Sequence, residues 1–185
     1  MSRAHPRRAP RRTRGQAMAE FALVAPIFFL MLFGIIELAL LMGGQNGLVS
    51  SARELARYAA PFRVATQADA TAVCNNAGNA DHGFTQQLNG FMSHAIPGYS
   101  ASNWSAAQHE RTVTYTWGNN ADGTHYVQMQ IHIVYHFPLH VPLISAVLDR
   151  FDGTVDNKFK LDATETMRIE NLGLTSTYSQ VSCDV

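Results

Sequence analysis

The sequence predicts an α+β fold, in which a long N-terminal transmembrane and amphipathic helix precedes a small domain with an antiparallel β-sheet. Three observations predict this fold class. An apolar run spans residues 21–42, an amphipathic stretch with helical spacing follows it, and later segments alternate between apolar and polar residues. At 185 residues, the chain has room for a membrane segment and one modest domain.

The apolar run Phe21–Met42 is long enough to cross a membrane. As an α-helix it extends for about 33 Å, and the hydrocarbon core of a bilayer is about 30 Å thick. Six of the 14 basic residues precede Gly15, whereas the other 8 accompany all 14 acids. Because Lys and Arg stay on the cytoplasmic side, this asymmetry predicts a cytoplasmic N-terminus and an extracytoplasmic domain. Anchoring accounts for the arginines, so we expect no nucleic-acid partner.

A basic tail before an apolar run also describes a secretory signal peptide. This run exceeds the usual apolar region of about 7–15 residues, and the sequence GGQNGLVSS after Met42 offers no clear cleavage site. We therefore expect the helix to be retained in the membrane rather than removed by cleavage behind it.

Two residues within the run have structural consequences. Glu37 lies about 24 Å along the helix from Phe21, close to the outer interface. Its carboxylate could reach headgroups or water, or it could make a helix–helix contact with another protein, and the sequence leaves both open. Pro26 removes one helical hydrogen bond and predicts a kink.

The residues ahead of the run resemble the processing site of a type IV prepilin, with Gly15 at −1, Glu20 at +5 and Phe21 at +6. The wider stretch RGQAMAEFALVAPIFFLMLFGIIELALLM, with QNGLVSSARELARYAA after it, resembles the TadE-like family of the tight-adherence (Tad) pilus system. The matching motifs are G-x-x-x-x-E-F, A-P within the helix, G-I-I-E-L and A-R-E-x-A-R. They extend from Arg14 to Ala60 and do not reach the outer region.

The resemblance implies a minor pseudopilin of the inner membrane that a prepilin peptidase cleaves after Gly15. Gln16 would become the N-terminus, and the six leading arginines would be lost. Glu20 would lie about one helical turn from the new amine and could neutralise it, or neutralise the terminus of a neighbouring subunit. The implied partners are the peptidase, other pilin-like subunits, the inner-membrane assembly platform and the lipid bilayer.

The predicted organisation has four parts. Residues 1–15 form a basic leader, 16–42 the transmembrane helix, 43–60 an amphipathic helix continuing from the membrane, and 61–185 the extracytoplasmic domain. Within the amphipathic part, Ser51 and Glu54 fit either a capping box or the interior of one long helix weakened at 43–47, and we favour the long helix. Its predicted buried face comprises Leu48, Ala52, Leu55, Ala56 and Ala59.

In the outer domain, residues 65–73 and 84–94 have helical spacing. The alternating segments 111–117 and 125–137 flank the turn cluster GNNADG and predict a hairpin with one buried face. Pro138 and Pro142 end the second strand. Residues 139–148 form an apolar linker or a short helix, and residues 158–169 supply a third strand.

Cys74 and Cys183 are the two cysteines, and both fall on the predicted outer side. An oxidising compartment favours a disulfide between them, which would tie the C-terminal end back to the domain. Two unpaired thiols are the alternative. The spacing excludes a CxxC metal or redox motif.

Six of the eight histidines lie between His94 and His140, which raises the question of a metal site. His132 and His136 share a strand face but stand about 13 Å apart, too far to share one ion. We expect exposed strand-face histidines, no metal and no other cofactor. No catalytic motif indicates an enzyme.

Two other functions stay open. One is an unprocessed, signal-anchored extracytoplasmic domain that captures a small ligand or a polysaccharide. The other is a membrane-tethered protein that binds a metal through its histidines. Both would keep the N-terminal residues that a prepilin peptidase removes.

Overall fold

A computed structural model of the chain describes residues 13–75, 83–103, 110–148, 150, 153, 156–169, 174 and 176–184. Helices and strands follow one another in the order α1 (Thr13–Ala59), α2 (Gln67–Asn75), α3 (Phe84–Ala95), β1 (Arg111–Asn119), β2 (His125–Pro138), α4 (Pro142–Leu148), β3 (Lys158–Ile169) and β4 (Val181–Asp184). A 3₁₀ turn, Ala101–Asn103, lies between α3 and β1. The long N-terminal helix and the antiparallel sheet confirm the predicted α+β fold class.

Helix α1 continues from the apolar run into the amphipathic stretch without a break. Pro26 lies inside the helix, where its ring nitrogen cannot donate to the carbonyl of Ala22. The Ser51 hydroxyl donates to the carbonyl of Gly47 at 2.8 Å, four residues earlier. Ser51 and Glu54 are therefore helix-interior residues rather than a capping box.

Among the described residues, the sheet has four antiparallel strands in the order β3-β2-β1-β4. Strands β1 and β2 form the predicted hairpin, in which Val113 pairs with Ile131. Strand β3 pairs with β2 along its whole length, and the short β4 adds to the other side of β1, with Cys183 opposite Val113. The sequence reading did not identify β4.

The core lies between the inner face of the sheet and the second half of α1. The predicted helix face (Leu48, Ala52, Leu55, Ala56 and Ala59) is fully buried, as are the alternating apolar residues of β1 and β2. Full burial of one such large apolar side chain contributes about 1.5–3 kcal/mol. Helix α3 covers the same core with Phe84, Leu88 and Met92.

Two glycines allow α1 to approach the domain closely. A Cβ at Gly44 would lie 2.9 Å from Cδ2 of Phe137, and a Cβ at Gly47 would overlap the carbonyl oxygen of Ala95. The glycine-rich stretch that the sequence suggested as a weak point of the helix is therefore a packing contact. Polar contacts add to it, since Gln45 donates to the carbonyl of Asp162 at 2.7 Å and Arg53 pairs with Glu165 at 2.7 Å.

The predicted disulfide is present. It joins Cys74 near the end of α2 to Cys183 in β4, with the two Cα atoms 5.5 Å apart and a sequence separation of 109. The bond therefore fixes the last strand to the helix that follows α1.

Candidate membrane and processing segment

The first half of α1 exposes apolar side chains around its whole circumference. Every residue from 26 to 33 is exposed, including Phe28, Leu30 and Phe33. A surface helix of a soluble domain would bury one apolar stripe against its core. Within the described part of the chain, one helix is long and apolar enough to cross a membrane, and it is this one.

The predicted processing residues lie on the first described turns of α1. Gly15 is exposed, and a Cβ built on it would meet no atom within 4 Å. The side-chain amide of Gln16 donates to Oε1 of Glu20 at 3.0 Å, and Phe21 is exposed at the start of the apolar run. The fold thus leaves this stretch accessible, while five of the six leading arginines lie outside the described residues.

Glu37 is fully buried, although it lies within the apolar run. Its Oε1 accepts a hydrogen bond of 2.9 Å from the backbone N–H of His140, and Nδ1 of His140 stands 3.9 Å away. Its Oε2 has no hydrogen-bond partner among the described residues. The carboxylate therefore faces the loop between β2 and α4 of its own chain.

The same side of α1 also contacts α4. A Cβ at Gly34 would lie 3.4 Å from Cδ1 of Ile144, an ordinary van der Waals distance. Together Gly34 and Glu37 place the loop 139–141 and α4 beside the last third of the apolar run. The outer domain therefore reaches along the helix into the apolar segment.

The described histidines have local partners rather than a common centre. Nε2 of His132 lies 2.8 Å from Oδ2 of Asp162, and Nε2 of His136 lies 2.6 Å from Oε1 of Glu110. The side chain of His136 is only 18% exposed, so the expectation of exposed strand-face histidines is wrong at this position. Across the described residues, no three His, Cys, Asp or Glu side chains are arranged to hold a metal ion. His5, His82 and His109 lie outside those residues.

These features define a class of protein with one candidate membrane span and a small α+β domain packed on the end of that span. Residues 15–57 match the family model described as TadE-like protein. The match lies within the stretch 14–60 that resembles this family, so the resemblance is confirmed over that segment, and it points to tight-adherence pilus assembly. Neither the comparison with curated proteins nor that with solved structures found a match.

Sequence reasoning missed two partners that the structure shows. It did not identify His140, whose N–H donates to Glu37, or Glu110, which pairs with His136. The apolar composition of residues 139–148 was a usable signal, because an uncharged stretch of that length in a small domain needs an apolar surface to cover it.

Proposed function

We propose that this protein is a TadE-like minor pseudopilin that acts in the assembly of a tight-adherence pilus. The observation that carries the proposal is the family match over residues 15–57. That stretch coincides with the exposed apolar helix and begins at the glycine of the prepilin-like motif. Its role is structural: the protein contributes a membrane helix and a surface for subunit contacts.

In this proposal the chain crosses the inner membrane once. The arginines before Gly15 keep the N-terminus in the cytoplasm, because Lys and Arg mark the cytoplasmic side of a span. The domain that follows α1 is then extracytoplasmic. The disulfide between Cys74 and Cys183 supports this orientation, since disulfides persist outside the reducing cytoplasm.

A prepilin peptidase cleaves the protein between Gly15 and Gln16. The open space around Gly15 supports this step, because a protease must approach the scissile carbonyl closely. Cleavage gives Gln16 a charged α-amine one helical turn from Glu20. Glu20 can then neutralise its own terminus or that of a neighbouring pilin-like subunit, while the exposed apolar side chains of α1 contact lipid or other helices at the assembly platform.

The processing step is tested by co-expression of the full chain with a prepilin peptidase, followed by N-terminal sequencing and intact mass measurement of the membrane-extracted protein. The wild-type chain should begin at Gln16. Gly15→Leu should keep the arginine-rich leader, because a bulky side chain at this position blocks the peptidase.

Gly90→Leu is the matched control. Gly90 is also an exposed helical glycine, and a Cβ on it would likewise meet no atom within 4 Å. This variant should be cleaved like the wild type. A wild-type protein that retains Met1 beside an active peptidase would refute the processing step and would fit the unprocessed binding domain, which the family match does not favour.

A further inference from the structure

Helix α4 and the loop before it form an uncharged apolar segment. From Phe137 to Leu148 the sequence reads FPLHVPLISAVL, with no Asp, Glu, Lys or Arg. The segment lies beside α1 at two levels, since the N–H of His140 donates to Glu37 and Ile144 approaches Gly34. Both of these α1 residues belong to the apolar run.

The depth of this contact follows from the exposed residues of α1. Ile35, Leu38 and Met42 are exposed apolar residues, with Met42 67% exposed. The next exposed positions one turn and two turns later are polar, at Asn46 and Ser50. The apolar band therefore ends between Met42 and Asn46, whereas contact with α4 begins at Gly34, about 12 Å deeper along the helix.

Two residues of α4 also lie the opposite way from those of a water-facing helix. Ser145 is buried, and its hydroxyl contacts Oδ1 of Asn157 at 3.3 Å, while Val147 is 57% exposed. A surface helix in water buries its apolar stripe and exposes its polar residues. An exposed Val147 and a buried Ser145 are instead what a helix in an apolar environment would show.

We infer that α4 lies in the outer leaflet of the bilayer beside α1, with Val147 in contact with lipid. This inference rests on the proposed membrane insertion of α1. We infer lipid rather than protein around α4 because of its depth. Ile35 and Leu38 lie at the same depth as Gly34, so the acyl chains that surround these two residues also lie at the depth of α4. The domain would then rest on the membrane through two segments, and Glu37 would be screened from lipid by loop 139–141.

A spin label tests the placement, because the two native cysteines form a disulfide and an introduced cysteine supplies the reactive thiol. The full chain carrying Val147→Cys is labelled, reconstituted at low density into phosphatidylcholine–phosphatidylglycerol vesicles, and exposed to oxygen or to a water-soluble nickel chelate. The label at position 147 should collide several times more often with oxygen than with the chelate. Phe28→Cys is the lipid reference, and Ala121→Cys in the β1–β2 turn is the aqueous reference.

The possible failures are distinguishable. A label at position 147 that behaves like the one at 121, while that at 28 stays in lipid, overturns the placement of α4 and leaves the membrane span intact. Chelate access at position 28 as well would refute the span itself and the proposed function with it. Shielding of position 147 from both reagents would show that protein rather than lipid covers α4, and this result also overturns the inference.

Discussion

At Glu37, a carboxylate connects the apolar run of α1 to a loop of the outer domain. The side chain is 0% exposed, and one of its oxygens accepts from the N–H of His140. A carboxylate with no partner would be costly in this apolar surrounding, so this hydrogen bond fixes which way the side chain points. It also defines how far along α1 the β2–α4 loop sits.

We expect Glu37→Leu to loosen the loop, whereas Glu37→Gln should keep it in place. Glutamine retains an oxygen that can accept from the N–H of His140, and leucine does not. A hydrogen bond contributes about 0.5–1.5 kcal/mol, so amide exchange at His140 should be roughly 2- to 12-fold faster in the leucine variant. Hydrogen exchange of the detergent-solubilised protein measures this.

Equal exchange at His140 in the wild type and Glu37→Leu would contradict the proposed contact. The free energy of global unfolding is a poorer measure of this contact. The leucine variant loses the hydrogen bond to His140, which destabilises the fold, but it also loses the buried Oε2 that has no described partner, which stabilises it.

The position of Glu37 along the helix could be predicted by counting residues, but its direction could not. Its partner His140 is 103 residues away in sequence, and only the packing of the domain brings the two together. The pair of His136 with Glu110 is a similar case, with a sequence separation of 26. The alternating pattern of β2 predicts that His136 lies on the exposed strand face. Its low exposure depends instead on its contact with Glu110, the residue that precedes β1.

At the scale of elements, α2 shows how a short helix is fixed at its start. The side chain of Thr66 accepts from the N–H of Asp69, and Oδ2 of Asp69 accepts from the N–H groups of Thr66 and Ala65. This reciprocal arrangement satisfies N–H groups that a helix start otherwise leaves unpaired. These hydrogen bonds, above all that from the N–H of Thr66, lower the pKa of Asp69 below its ordinary value of 3.8.

We expect Asp69→Asn to lower the free energy of unfolding by roughly 0.3–1 kcal/mol at pH 6, because asparagine keeps an acceptor oxygen but loses the negative charge at the start of α2. Because the pKa of Asp69 is lower in the folded state, its stabilisation is complete above the ordinary pKa of 3.8 and is lost as the pH falls through the folded value. The difference in the free energy of unfolding between the variant and the wild type should therefore shrink as the pH falls below 4. Urea unfolding at several pH values measures it.

Thr66→Ser is the control for the same cap. Serine keeps the hydroxyl that accepts from Asp69, so the change in stability should stay within about 0.5 kcal/mol. If Asp69→Asn lowers the free energy of unfolding by the same amount at every pH, the charge of Asp69 does not stabilise α2.

The strands differ in how far the sequence could predict them. Segments 111–117, 125–137 and 158–169 alternate over seven or more residues, and each is a strand in the structure. Strand β4 has four residues, VSCD, with too short a pattern to show a period. It is specified by its pairing with β1 and by the disulfide, both of which are long-range contacts.

At the scale of the whole molecule, the chain is held as a unit by contacts between distant segments. Helix α1 packs through Gly44 and Gly47 on one side of the domain, and the disulfide fastens β4 to α2 on the other. In the chain-entropy model, a cross-link that closes a loop of about 100 residues stabilises the fold by up to about 4.7 kcal/mol. Disulfides persist in oxidising surroundings, so the state of this bond in cells tests the proposed extracytoplasmic placement of the domain.

We therefore expect the two thiols to be blocked in cells that insert α1, and reactive in cells that fail to insert it. Leu30→Arg combined with Phe33→Arg places two charges in the apolar run, and each charge at a helix centre opposes insertion by about 2.5–3.5 kcal/mol. The domain of this variant should remain in the cytoplasm with Cys74 and Cys183 reduced. A maleimide-polymer gel shift, performed with and without prior reduction, measures the number of reactive thiols.

The matched control places the same two charges on exposed polar positions of α1 outside the apolar run, at Asn46 and Ser50. Asn46→Arg with Ser50→Arg leaves the apolar run intact and should preserve the disulfide. Blocked thiols in the Leu30→Arg/Phe33→Arg protein would contradict the orientation, because the bond would then form without insertion of α1. Reactive thiols in the wild-type membrane fraction would contradict it too, since they would place the domain on the cytoplasmic side.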